Sequence, residues 1–96
     1  MDIIKPEWAR RETYEALRHK IADGVIIKIN EAIEQACSKG KDECIVDGLV
    51  CYGYESPGQV EYLAKFARSA GYFAKVNYTY GYFPTLSIWW TNKTAV

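Results

Sequence analysis

Ninety-six residues, in which twelve Lys and Arg offset twelve Asp and Glu, describe a single domain (residues 1–96) with no net charge. That length suffices for one core, and the even charge counts against holding nucleic acid mainly by phosphate contacts, which calls for a basic excess. No apolar run approaches the ~18–20 residues that span a bilayer. The opening "MDIIKPEWARR" lacks the plan of a signal peptide, so a soluble cytoplasmic chain without membrane contact is expected.

The first element begins at Pro6, and "EWARRETYEALRHKIAD" reads as a helix with proline in its first turn. Tyr14, Leu17 and Ile21 make its apolar stripe. The stripe continues through Val25, Ile29, Ala32, Ile33, Ala36 and Cys37, so residues 7–39 form either two helices or one bent helix. A break at Asp23-Gly24 is favoured, because glycine costs roughly 1 kcal/mol against alanine inside a helix. The second helix stops at "CSKGK", with Gly40 as the left-handed residue after it.

"ECIVDGLVCY" then reads as a strand, short and β-branched after a helix stop. If Val46 points inward, Asp47 points to the open side. "GYESPGQ" leads into a third helix, where Ser56 caps, Pro57 takes the first helical position and Gln59 completes a capping box. Val60, Leu63, Ala64, Ala67 and Ala70 give this helix a face of mostly small residues that can lie close on a sheet, and Gly71 ends it.

Residues 72–90 hold eight of the fourteen aromatic residues and a single charge, Lys75. Alternation divides them. Tyr72, Ala74, Val76 and Tyr78 share one face, and Phe73, Lys75, Asn77 and Thr79 the other. In the next strand Leu86, Ile88 and Trp90 oppose Thr85, Ser87 and Trp89. "YGYFP" between them is a hairpin loop.

The expected order is α-α-β-α-β-β, an α+β two-layer sandwich. A right-handed crossover would set the first strand parallel to the second, and the hairpin would add an antiparallel third strand, giving a three-stranded mixed sheet. Helices two and three should cover the face carrying Ala74, Val76, Leu86 and Ile88.

"KINEAIEQACSKGK", the strand after it, "VEYLAKFARSAGY" and the final "LSIWW" resemble small open reading frames of tailed bacteriophages, over roughly residues 25–90. In those a helix ending in A-x-x-x-G, a helix ending in Gly-Tyr and an I-x-W last strand recur in this order. The resemblance implies a virion component or an accessory factor of infection, located in the virion or the host cytoplasm, and supplies no catalytic residue.

No enzymatic site is expected. Cys37, Cys44 and Cys51 are odd in number, no C-x-x-C occurs and His19 is the lone imidazole, so free thiols without metal or cofactor are expected. Cys51 and His19 lie on different elements with no orienting partner. The carboxylates Asp42, Glu43, Asp47 and Glu55 lack the deep cleft that paired-acid chemistry needs. The glycines of "VCYGYESPGQ" match no phosphate-binding motif, and Ser56 would occupy the helix amides.

The candidate site is therefore the sheet face that the helices leave open, with the hairpin tip: Phe73, Lys75, Tyr80, Tyr82, Phe83 and Trp89. Three readings compete for it. Rings depleted of charge suit contact with a protein, whether a second copy, another viral protein or a host protein to be inhibited. Rings beside lysine also suit single-stranded nucleic acid. Alternatively, helix one folds over the face and makes it core.

Overall fold

Proline at the first helical position starts α1 (Pro6–Arg18), where its missing N–H costs nothing. The computed structural model describes residues 3–91. The chain breaks at residues 19–22 and resumes as α2 (Asp23–Ser38), so there are two helices. The break falls ahead of the expected place, and Asp23-Gly24 form the first turn of α2. There an acid favours the positive helix end, and Arg18 bridges back to Asp23 at 2.6 Å. After α2, Gly40 takes a φ of 72°, as the stop signal requires.

The strand expected over residues 43–52 is shorter. β1 covers Glu43–Val46, and Leu49–Tyr52 turn into a 3₁₀ helix. Gly48, at φ 67°, makes the change of direction that ends pairing. α3 (Pro57–Ser69) opens with the full capping box: Gln59 N–H donates to Ser56 Oγ at 3.2 Å, and Ser56 N–H to Gln59 Oε1 at 2.9 Å. β2 (Phe73–Asn77) and β3 (Thr85–Trp89) complete the order α-α-β-α-β-β in an α+β fold.

The sheet runs β1-β3-β2 and is antiparallel throughout, not mixed. Both outer strands oppose β3, so β1 and β2 do share a direction, but β3 lies between them and no parallel pair forms. The physical reason is width. A crossover through one helix about 10 Å across spans two strand positions of ~4.8 Å, and the hairpin returns β3 into the slot.

The register fixes both faces. Cys44, Ile88 and Ala74 form one inward row, and Val46, Leu86 and Val76 the next. Leu86 and Ile88 are fully buried with Val25, Leu49, Val60 and Leu63. α2 lies on β1 and α3 on β2 and β3, on this inward side as expected. α1 packs on α3 instead of on the open face, with the Tyr14 ring stacked on Phe66 at 4.9 Å. That overturns the reading in which helix one makes the open face core: the apolar stripe of α1 is spent on α3.

Arg68 ties helix to sheet at the outer edge of β2. Its Nε and Nη2 donate to Ala74 O at 3.1 and 2.8 Å, and Nη1 pairs with Glu61 at 2.6 Å. An occupied edge carbonyl is one fewer site for a stray strand.

Two substitutions check this architecture. Ser56→Ala should lower stability by about 1 kcal/mol, read from the denaturation midpoint. Ile88→Ala should cost roughly 2–5 kcal/mol, and Ser87→Ala on the opposite face far less. The reverse order would put the register of β3 out by one.

Candidate sheet-face interface

Alternation along three paired strands builds the open face. Glu43, Trp89 and Phe73 lie in one row, Ile45, Ser87 and Lys75 in the next, and Thr85 pairs with Asn77 in the third. The Phe73 and Trp89 rings stack at 5.8 Å with planes 14° apart, a cross-strand aromatic pair. Asn77 Nδ2 donates to Ser87 Oγ and to Thr85 Oγ1, so the polar end of the face is held by its own hydrogen bonds. A shallow depression of about 880 Å³ is lined by Lys41, Asp42, Glu43, Ile45, Lys75, Ser87 and Trp89, among others.

Three of the six expected residues, Phe73, Lys75 and Trp89, thus stand together. Tyr82 and Phe83 do not join them. They line a notch with Tyr78, Glu55, Ser56 and Pro57, at the start of α3. Thr79 O accepts from Tyr82 N–H, and Gly81 at φ 89° makes the tight turn between them. Tyr80 stands at the tip, 92% exposed. The single aromatic surface expected from the sequence is two patches, the sheet face and the hairpin notch. Tyr78 also departs from its expected inward place: β2 ends at Asn77, alternation stops there, and the Tyr78 ring is exposed. Trp90 is half-buried, edge-on to Tyr72 at 6.2 Å.

Ile45 belongs to the site and was not among the expected residues. It is 65% exposed, a large apolar side chain at the centre of the β1 edge of the face. The alternation that turns Val46 inward also turns Ile45 outward, so the signal was present in "ECIV".

The thiols and the imidazole sit elsewhere. Cys51 is exposed in the 3₁₀ turn, His19 caps the end of α1, and no hydrogen bond joins them among the described residues. Burial pushes the Cys44 thiol up, and nearby Cys37 adds to the shift. A raised thiol is a poorer nucleophile at neutral pH. No group of three or more His, Cys, Asp or Glu among the described residues is placed to hold a metal ion. No described helix is long and apolar enough to cross a membrane.

Comparison with protein-family models, curated proteins and solved structures gave no match.

The thiols give a prediction with a definite sign. The folded Cys44 favours its neutral form, so the stability it contributes is complete below the unfolded thiol's value of roughly 8.5 and is lost as pH rises through the folded one. The denaturation midpoint should therefore fall above about pH 8.5, and Cys44→Ala should flatten that fall. A thiol reagent should modify exposed Cys37 and Cys51 before Cys44. If Cys44 reacts first, it is not held under α2.

Proposed function

We propose that this chain is a non-enzymatic protein–protein interaction module that docks through the open face of its sheet. One observation carries the reading: a stacked Phe73–Trp89 pair beside exposed Ile45 on a sheet face that none of the described helices covers. Aromatics with few charges are what distinguishes the centre of a protein interface, and a small domain seldom leaves such a patch idle. In the setting that the tailed-phage resemblance implies, the module would serve virion assembly or bind a host factor. The hairpin notch of Tyr78, Tyr82 and Phe83 is a second, smaller contact region.

Single-stranded nucleic acid on the same rings is the competing reading, favoured by Lys75 beside the stack. Lys41 and Lys75 in the lining of the depression are matched by Asp42 and Glu43, so it offers no basic excess to a phosphate backbone.

Trp89→Ala and Phe73→Ala should keep the fold while weakening association, by about 2 kcal/mol where the ring is a hot spot. The readouts are thermal unfolding paired with sedimentation and pull-down. Variants that stay folded and keep every association of the parent would remove the sheet face from the reading. Loss confined to Tyr82→Ala and Phe83→Ala would move the contact to the notch. Micromolar binding of labelled oligonucleotides that vanishes at high salt would put nucleic acid first.

A further inference from the structure

The helical layer carries a surface separate from the sheet face. α1 and α3 pack on each other, and residues of both line a groove of about 410 Å³. Arg10 from α1 and Lys65 and Arg68 from α3 stand in that lining, and no carboxylate does. The chain as a whole has no net charge, so this local excess of cations is an asymmetry of placement. We propose that the groove binds a short acidic segment of another protein, with one apolar side chain seated between its carboxylates.

The three cations differ in what holds them. Arg68 is committed: Nη1 pairs with Glu61 at 2.6 Å, and Nε and Nη2 donate to Ala74 O. Glu61 therefore offsets Arg68. Arg10 and Lys65 are exposed and make no hydrogen bond or ion pair with any described residue. One stands on each wall, so a carboxylate held between the helices can reach both. Charge-assisted contacts of this kind are how clusters of basic side chains read acidic motifs.

The rest of the lining selects among anions. Ala9 and half-buried Leu17 are apolar, and the stems of Arg10 and Lys65 extend that surface. Ser69 turns its hydroxyl back to Phe66 O at 2.6 Å, which leaves Thr13 as the remaining hydroxyl of the lining. The backbone amides of both walls are bonded within their helices, so side-chain cations are the strong donors on offer. No aromatic ring lines the groove for a base to stack on, which disfavours a nucleic-acid strand. A flat bilayer would meet the cations and leave the apolar lining unfilled. A leucine between glutamates satisfies both parts. The contact is small, so it suits a short segment bound weakly, at roughly 10 µM to 1 mM.

The test is a titration of isotope-labelled protein with a peptide in which one leucine is flanked by paired glutamates, read by amide NMR shifts. Shifts should gather on the flanks of α1 and α3, fade as salt rises, and weaken when serine replaces the leucine. Arg10→Glu and Lys65→Glu should each weaken binding about tenfold, and Arg10→Lys should change it little. The double variant with both reversals should instead take the peptide that carries lysines in place of glutamates. A misfolded chain cannot gain that preference, so the swap separates docking from folding. Trp89→Ala should leave peptide binding unchanged, and loss of binding there would place the peptide on the sheet face and overturn the groove. Absence of binding up to ~1 mM peptide at low salt overturns the proposal, as does binding indifferent to both reversals. Equal binding of the serine peptide overturns it too, because the groove would then read charge alone. Tighter retention of phosphatidylglycerol vesicles or of a single-stranded oligonucleotide through Arg10 and Lys65 would replace the acidic segment by a membrane or a nucleic acid.

Discussion

The double pairing of β3 is the constraint on which the rest of the molecule depends. This strand alone has neighbours on both sides, and its inward residues, Leu86 and Ile88, are fully buried. Its two ladders turn three short strands into one surface, and α2 and α3 can bury their apolar stripes only against that surface. The ladders also fix what faces outward. Once Ile88 and Leu86 point to the helices, Trp89, Ser87 and Thr85 must point away, and their partners on β1 and β2 follow. The same register that makes the core thus aligns Phe73 with Trp89 and Ile45 with Lys75.

The open face exists because the helices are used up elsewhere. Two helices suffice to cover three strands, and α1 spends its stripe on α3 through Tyr14 and Phe66. A sandwich with one helical layer leaves half of its sheet to solvent or to a partner. Here that half holds a ring pair and an isoleucine where a solvated face would show alternating charges. The surface is also organised before anything binds. The ring pair is already stacked, and Asn77 is tied to Ser87 and Thr85, so docking would order little that is not ordered already.

Local rules made most of the elements legible. Pro6, the capping box of Ser56 and Gln59, and the stops at Gly40 and Gly71 each mark a boundary through backbone chemistry that acts within four residues. Alternation assigned Ala74, Val76, Leu86 and Ile88 to the core and Phe73, Lys75 and Trp89 to the open face. What local rules could not supply was the neighbour of each strand. Whether β3 sits beside β2 alone or between β2 and β1 depends on contacts forty or more residues apart, and no periodicity encodes them. The long strand expected at residues 43–52 failed for a related reason. Val50 and Tyr52 have strand propensity, but Gly48 in a left-handed conformation turns them out of the sheet. The hairpin tip was misplaced because alternation was extended past Asn77, where pairing ends and a turn sets the direction of each ring. Ile45 carries a signal as local as these, its alternation with inward Val46, but as a lone aliphatic residue in a four-residue strand it stands outside the aromatic segment.

The position of the central strand also bears on the order in which the chain can be assembled. β3 follows every other described element, so on a ribosome β1 is made about forty residues before it has a strand to pair with. α2 emerges earlier still, with its buried face lacking a sheet. Residues 56–89 form a nearly self-contained unit, in which the hairpin and α3 meet over short separations and can close early. The N-terminal half must then wait, its apolar stripe exposed, and add β1 to a finished edge. Nascent chains of this topology are open to chaperones or to strand exchange with a neighbouring chain until Ile88 has left the exit tunnel.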